Sequence, residues 1–233
     1  MTARDQILGG IRRSLHRGAV EGDSAAPLEQ RLANPPRGPI PARTQGLGQK
    51  ALVDLFERQA NEVVASVTRV GKLDDVPEAV ASFLAQHNLP ADLAMAPDPL
   101  LDRIPWSKRP LLRIRKGRSD GRDPVGLSAA FTGIAETATL MLASGPESPS
   151  TLNFLPDTHV VVLPAGRVVG PMEDAWAKLR AASSAEKLSG EAMPRTVNFI
   201  TGPSRTGDIE QKILMGAHGP RRLHIVIVED ERS

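Results

Sequence analysis

Two runs in the second half of the chain constrain its fold most: Thr158 to Leu163 and Leu223 to Val228 are almost continuously apolar. Valine, isoleucine and leucine dominate both runs, and these side chains suit strands that are covered on both faces. Parallel strands of this kind require crossover connections, which place helices over the sheet. The two runs therefore predict an α/β fold with a mostly parallel sheet flanked by helices.

Hydrophobic spacing elsewhere alternates between helical and extended patterns, as expected for such a sheet. Asp75, followed by Pro77 and Glu78, has the form of a capping box at the start of a helix. In the second half, the patterns give a strand–helix–strand–helix–strand order. We predict helices over 47–56, 76–87, 172–182 and 208–215, and strands over 61–70, 93–96, 111–115, 133–143, 158–163, 197–200 and 223–228.

The N-terminal part reads as a helix followed by a linker. Residues 1–17 have four aliphatic side chains on one helical stripe, with the arginines largely off it: Ile7, Leu8, Ile11 and Leu15. This stripe packs either on the rest of the chain, the commoner case, or on a partner chain. Five prolines within 18–46 remove backbone donors and predict an extended linker, so the main domain is predicted to span 47–233.

Composition excludes several kinds of chemistry. The chain has 233 residues and no cysteine, so it carries no disulfide, thiolate zinc site, catalytic cysteine or cysteine-ligated iron–sulfur cluster. Its 29 basic and 27 acidic residues nearly balance, and its aromatic residues are two Trp and five Phe, which argues against a nucleic-acid partner. No histidine spacing indicates a metal site. We find neither a membrane span nor a signal peptide, and expect a cytoplasmic location.

A basic stretch over 108–122 has two interpretations. It holds Lys108, Arg109, Arg113, Arg115, Lys116, Arg118 and Arg122. These residues could form an anion-binding patch, but no aromatic side chains are interleaved with them. The pattern therefore favours a strand with a solvated edge followed by a charged loop.

The first candidate site residue is Glu136, which lies among apolar and β-branched residues. A carboxylate in such surroundings either finds hydrogen-bond donors or has its pKa raised by desolvation. It can then act as a nucleophile or a general base, or it can serve only as a structural ion-pair partner. Thr137, Ser144 and Gly145 are candidate ligand-binding residues near the end of the same strand.

The second candidate segment runs from Ile200 to Glu210, where a predicted strand turns into a predicted helix. Free amides at the start of that helix would face an anion together with Gly202, Ser204, Arg205 and Thr206. The Gly-Lys-Ser/Thr ending of a phosphate-binding loop is absent. Ordinary helix capping explains the same residues equally well.

A third segment, from Gly216 to His224, holds His218, Arg221 and Arg222. Arginine suits bidentate recognition of a carboxylate or phosphate, so these residues are further anion-binding candidates. The alternative is the basic end of a helix, which its dipole stabilises.

Five stretches in register resemble the LUD domain of the lactate utilisation protein C family. The resemblance covers about 47–230 well and the proline-rich segment poorly. One departure is Ala138, where the family pattern has glycine. The similar stretches are Gly133-Ile-Ala-Glu-Thr-Ala-Thr-Leu, Ser144-Gly-Pro, Leu155-Pro-Asp-Thr-His-Val-Val-Val-Leu-Pro, Gly202-Pro-Ser-Arg-Thr-Gly-Asp-Ile-Glu and His218-Gly-Pro-Arg-Arg-Leu-His.

The resemblance implies a fold like the NagB/RpiA/CoA-transferase group and a role in bacterial oxidation of L-lactate to pyruvate. It also implies partner proteins that carry the iron–sulfur clusters, with no cofactor bound by this chain. We expect a non-redox subunit that binds a small carboxylate or phosphate. The alternative is a stand-alone enzyme of CoA-transferase or phosphosugar-isomerase type that uses Glu136. Either function leads us to expect one pocket, shared by these loops, at the carboxyl edge of the sheet.

Overall fold

Parallel strands form the centre of the structure, a computed structural model that describes residues 2–16, 18, 20, 22–185, 193–209 and 212–230. The helices are α1 (Ala3–Ser14), α2 (Ala26–Ala33), α3 (Gln49–Glu62), α4 (Val76–Gln86), α5 (Pro99–Asp102), α6 (Thr151–Phe154) and α7 (Met172–Ala185). The strands are β1 (Ser66–Lys72), β2 (Asp92–Met95), β3 (Arg113–Lys116), β4 (Val125–Ala129), β5 (Thr132–Ile134), β6 (Thr139–Ala143), β7 (Thr158–Pro164), β8 (Val168–Val169), β9 (Val197–Ile200), β10 (Arg205–Ile209), β11 (Lys212–Met215) and β12 (Arg222–Asp230).

The main sheet has six strands in the order β1-β12-β7-β4-β2-β3, and every neighbouring pair is parallel. The two continuously apolar runs of the sequence form inner strands of this sheet: Val161 of β7 pairs with Ile225 of β12. Every residue of β7 is buried. The predicted α/β class with a mostly parallel sheet is therefore confirmed, while the closer likeness to the NagB/RpiA/CoA-transferase group stays a prediction.

Alternate side chains of the central strands enter two different apolar clusters, one on each face of the main sheet. Val160 and Val226 pack with Phe83 of α4 and Leu101 of α5 on one face. On the other face, Val161 and Ile225 pack with Phe56 of α3, Leu140 and Leu142. Because successive strand residues point to opposite faces, continuous apolar runs fill both clusters at once.

A second, four-stranded sheet in the order β8-β5-β6-β9 covers the latter face. The predicted strand over 133–143 is here two antiparallel strands, β5 and β6, joined by a turn over 135–138. The strand at 197–200 exists, but it pairs antiparallel with β6 rather than joining the parallel series. Both differences arise because pairing partners, which spacing does not specify, decide which sheet a strand joins.

The predicted helix over 208–215 is wrong, because β10 and β11 form an antiparallel hairpin there. Thr206 pairs with Leu214, and the N–H of Gly216 donates to the carbonyl of Ser204 at 2.9 Å. These hydrogen bonds close the base of the hairpin. The local spacing of apolar residues predicted a helix, but pairing between the two strands determined the structure. Tertiary contacts commonly override weak local propensities in this way.

Strand β3 is an edge of the main sheet and carries much of the basic stretch over 108–122. Six of the seven cations of this stretch lie against carboxylates, which supports the interpretation as a solvated edge. The pairs are Lys108–Asp74, Arg109–Glu78, Arg113–Asp92, Arg115–Asp123, Lys116–Asp102 and Arg122–Asp120. Such exposed pairs contribute little to stability.

The chain divides into two compact units, Met1–Pro39 and Ile40–Ser233. In the first unit, α1 begins with a capping box in which the Thr2 hydroxyl accepts from the Asp5 N–H and the Asp5 carboxylate accepts from the Thr2 N–H. The segment expected to be extended contains α2. Pro27 lies in the first turn of that helix, the one place where proline is well tolerated.

Helix α4 begins where predicted, at Val76. The Asp75 carboxylate accepts from the N–H of Lys72 at 3.3 Å instead of capping the helix. Among the residues that the structure describes, no helix combines the length and the apolar character needed to cross a membrane.

Candidate functional site

The main sheet has one point where the chain connections diverge. Strand β2 continues to β3 at one edge, whereas β4 continues through the second sheet to β7 on the other side. Ligands of open α/β sheets bind at the carboxyl ends of the strands that flank such a point. A cavity of about 430 Å³ lies there, lined by Asp98, just after β2, and by Ala129, the last residue of β4. We call it the carboxyl-edge cavity.

The polar wall of the carboxyl-edge cavity includes two carboxylates, Asp98 after β2 and Glu147 after β6, and further polar groups. Ser144 and Gly145, both predicted site residues, lie after β6, Arg167 follows β7, and Ser183 belongs to α7. The backbone N–H of Thr196 donates to the Ser144 hydroxyl, and the Ser144 N–H donates to the Thr196 carbonyl, each at 2.9 Å. These reciprocal bonds fix the loop that carries the hydroxyl.

Arg167 was not singled out by the sequence, because it is an isolated arginine between two apolar segments. Its Nη1 donates to the carbonyl of Ala130 at 3.1 Å, and its own carbonyl accepts from the Thr132 hydroxyl. This anchors the guanidinium at the cavity wall. A guanidinium and serine hydroxyls that line one cavity are groups that recognise carboxylates and phosphates.

A second cavity, of about 240 Å³, lies at the opposite end of the main sheet, where His159 and Leu223 occupy the second positions of β7 and β12. We call it the amino-end cavity. Four predicted site residues line it: Gly202, Ser204, Arg205 and His218. Because β10 and β11 form a hairpin there, the helix start on which the predicted anion site was based does not form, and anion binding by these residues stays a prediction.

The loop from Gly202 to Ser204 is held tightly in place. Gly202 has a φ of +85°, and a Cβ there would lie 2.6 Å from the carbonyl oxygen of Val63, so only glycine fits. Ser204 donates its N–H to the carbonyl of Pro220 at 2.8 Å, and its hydroxyl accepts from the His218 N–H at 3.2 Å. The loop therefore forms a rigid wall.

Two buried residues of the amino-end cavity, Asn153 and His159, were missed by sequence reasoning. The Nε2 atom of His159 lies 2.7 Å from the hydroxyl of Ser128, and burial lowers the pKa of His159 to about 3. The available signal was a histidine inside an apolar strand, which has to be neutral and hydrogen-bonded.

Glu136 lies outside both cavities, in the turn between β5 and β6. It is half-buried in a turn, and not enclosed within a strand as expected. Its N–H donates to Gly170 and its carbonyl accepts from Arg43, each at 3.1 Å.

Thr137, in the same turn, begins a chain of hydroxyls. Its Oγ1 lies 2.7 Å from that of Thr139, which lies 2.5 Å from that of Thr201 beside the amino-end cavity. This chain is the one link between the turn at Glu136 and the Gly202 loop that the described contacts provide.

The remaining predicted residues line neither cavity. Thr206 pairs within the hairpin, and the backbone N–H groups of Arg221 and Arg222 both donate to the carbonyl of Asp157. The predicted residues therefore do not share one pocket. They divide between two cavities at opposite ends of the sheet, and five of them, Glu136, Thr137, Thr206, Arg221 and Arg222, belong to neither.

A six-stranded parallel sheet, a second sheet on one of its faces and a cavity at the point of divergence define an α/β protein with a cavity at the carboxyl edge of its main sheet. Within this class, the chain belongs to the LUD domain family, which it matches over residues 53–228.

Several proteins of known sequence are similar to this chain. An uncharacterized protein of Neisseria meningitidis is 40% identical over 103 residues, which cover 44% of this chain and 41% of that protein. Lactate utilization protein C of Geobacillus thermodenitrificans is 37% identical over 106 residues, covering 46% and 42%. The chain therefore matches less than half the length of these relatives. Lactate utilization protein C of Anoxybacillus flavithermus is 24% identical over 196 residues, covering 80% and 84%.

A crystal structure of a DUF162 family protein from Deinococcus radiodurans shares the fold. It superposes with a TM-score of 0.56 at 21% identity, covering 78% of this chain and 99% of that one.

Proposed function

We propose that this protein serves in bacterial lactate utilisation as a cytoplasmic, non-redox subunit that binds a small carboxylate in the carboxyl-edge cavity. The names of the relatives support the pathway. The observation that carries the binding site is the position of Arg167 and Ser144 in a cavity at the divergence point of the sheet.

The geometry supports binding of a 2-hydroxy or 2-oxo acid. A guanidinium presents paired N–H donors that match the two oxygens of a carboxylate, and a serine hydroxyl can bond to the neighbouring hydroxyl or carbonyl oxygen. Lactate and pyruvate both carry these groups on adjacent carbons. The cavity at about 430 Å³ exceeds the volume of either acid, so water or a larger relative of lactate also fits.

Isothermal titration with L-lactate and pyruvate tests the site. We expect saturable binding by the unaltered protein. Arg167→Lys keeps the charge but removes the planar fork, and should weaken binding about 10-fold, equivalent to about 1.4 kcal/mol. Arg58→Gln removes a cation from an exposed position on α3 and is the matched control, which should bind normally. No binding of either acid by the unaltered protein would contradict the proposed site.

The proposed partners are iron–sulfur proteins of the same system. This chain has no cysteine to ligate such clusters through thiolates, so the electrons from lactate would have to pass to another chain. Affinity capture from cells grown on lactate should recover proteins with the absorption spectrum of iron–sulfur clusters. Capture without any such protein would count against this part of the proposal, whatever the titration shows.

The alternative enzyme activity, of CoA-transferase or phosphosugar-isomerase type, depends on Glu136 facing a ligand. The position of Glu136 in a hairpin turn outside both cavities gives that alternative no support.

A further inference from the structure

The carboxyl-edge cavity presents a cation and two carboxylates to a ligand. Among its described lining residues Arg167 is the cation, and Asp98 and Glu147 are the carboxylates. Glu147 is exposed, so water and salt screen its charge, whereas Asp98 is half-buried. A carboxylate beside an anionic ligand is unfavourable unless the ligand donates a hydrogen bond to it. The half-buried Asp98 therefore indicates that a carboxylate ligand of this cavity also carries a donor.

The Asp98 carboxylate is held in place by the start of α5. Its Oδ1 accepts from the N–H of Leu100 at 2.8 Å and so caps that helix. Among the contacts of the described residues, no donor bonds to its second oxygen, Oδ2. Nor is Oδ2 one of the enclosed polar atoms that lack a partner, so it is accessible. The cap therefore orients the carboxylate while Oδ2 can accept a hydrogen bond from a ligand.

Asp98 and the Arg167 guanidinium enter the cavity from neighbouring strand ends. Strand β2 pairs with β4, and Met95 is level with Leu127. Asp98 lies three residues beyond Met95. Ala130, whose carbonyl accepts from Arg167, lies three residues beyond Leu127. Because neighbouring strands are about 4.8 Å apart, a small acid bound to the guanidinium can also contact Asp98.

A carboxylate oxygen distinguishes the two oxidation states of a 2-substituted acid. It can only accept a hydrogen bond, which a hydroxyl donates, whereas the carbonyl oxygen of a 2-oxo acid is itself only an acceptor. The hydroxyls of Ser144 and Ser183 both donate and accept, so they bond to either acid. A site that bonds to a ligand hydroxyl rejects the analogue without it, because the polar group of the site is left unpaired.

We propose that Asp98 is the specificity-determining residue of the carboxyl-edge cavity and makes it select a 2-hydroxy acid over the corresponding 2-oxo acid. This inference rests on the proposed function, because it places the acid in the same cavity. Arg167 binds the carboxylate of the ligand, and Asp98 Oδ2 accepts from its hydroxyl. The oxidised product lacks that donor, so the site holds the substrate of the oxidation and releases the product.

Titration with L-lactate, pyruvate and propionate measures the selection. We expect the unaltered protein to bind L-lactate at least about 10-fold more tightly than the other two acids, which lack the hydroxyl. In Asp98→Asn, the amide oxygen still caps α5, and the amide nitrogen, a donor, replaces Oδ2. This variant should bind L-lactate about 10-fold more weakly and pyruvate at least as tightly as the unaltered protein.

Asp102→Asn, at an exposed position on α5, is the matched control and should leave the affinities for all three acids unchanged. The thermal unfolding transition of Asp98→Asn shows whether this variant is folded. It should match that of the unaltered protein, because asparagine caps a helix as well as aspartate does.

The possible failures are distinguishable. Equal affinities of the unaltered protein for L-lactate and pyruvate would overturn the selection but leave the proposed binding site standing. A preference that persists in Asp98→Asn, or one that is lost in Glu147→Gln instead, would overturn the assignment to Asp98. If neither L-lactate nor pyruvate binds, the site and the selection are both wrong.

Discussion

Two buried histidines show how strongly single residues couple this fold to pH. His159 bonds to Ser128, and His224 lies 2.8 Å from the Ser66 hydroxyl and stacks on Phe83 at 3.9 Å. Burial lowers the pKa of His159 to about 3. Burial, and then the nearby His87, lowers that of His224 to about 4. Both imidazoles are therefore neutral in the folded chain at every pH near neutrality.

Stability should consequently fall as the medium becomes acidic. In the unfolded chain, both histidines have the usual pKa of about 6.5 and bind a proton below that pH. In the folded chain, they stay unprotonated until the pH falls to about 3–4, so acid favours the unfolded state. Stability is therefore complete above about pH 6.5. Between about pH 6 and pH 4 it is lost at up to about 3 kcal/mol per pH unit from the two histidines together.

Urea denaturation at a series of pH values measures this slope. His224→Gln should reduce it by about 1.4 kcal/mol per pH unit, because one proton fewer is taken up on unfolding. His16→Gln, at an exposed position, should leave it unchanged. An unaltered slope in His224→Gln would show that this histidine is not held neutral by the fold.

Ala138 has a backbone conformation that is unfavourable for alanine. Its φ is +53°, in the left-handed region, and it occupies the position where the resemblance led us to expect glycine. An alanine in that region costs about 1 kcal/mol relative to glycine. Its side chain is 1% exposed and packs with the apolar cluster beneath the second sheet, so the buried methyl group offsets part of the strain.

At the scale of elements, close packing between strands and loops imposes the tightest limits. Gly126 of β4 pairs with His159 of β7 and lies under the helical turn α6. A Cβ at Gly126 would lie 2.5 Å from the carbonyl oxygen of Leu152 and 2.9 Å from Pro156. Because the first contact is with backbone, the element itself would have to move, and interiors resist such shifts.

We therefore expect Gly126→Ala to destabilise the protein by about 1–3 kcal/mol. Gly166→Ala is the matched control, since a Cβ at that exposed turn meets nothing within 4 Å. Its effect should stay within about 0.5 kcal/mol. Urea midpoints at equal slope measure both changes. Equal stability of the two variants would contradict the close packing of β4 against α6.

At the scale of the whole molecule, the described apolar clusters draw all their buried members from residues beyond position 40. Helices α1 and α2 have no buried residue, and the stripe on α1 stays exposed, with Ile7 at 63% and Leu15 at 59%. The free energy of burial that stabilises the α/β unit is therefore contained in Ile40–Ser233.

A chain that begins at residue 40 should accordingly fold alone. We expect a loss of less than about 1 kcal/mol, which for a domain of this size is a fall in Tm of at most about 4 °C. Differential scanning calorimetry of the two chain lengths measures the difference. A shortened chain without a cooperative transition would show that residues 1–39 contribute to the core.

The sequence by itself determined the elements whose patterns are local. Continuous apolar runs specified the buried strands β7 and β12, and helical stripes specified α3, α4 and α7, because periodicity alone identifies such elements. Only the tertiary structure decided which strands pair, that 208–215 forms a hairpin, and that the candidate residues occupy two cavities rather than one. Hydrogen-bond partners far apart in the chain fix these features. The spacing of Ser204, Gly216 or His159 along the chain contains no information about which distant residue each one will meet.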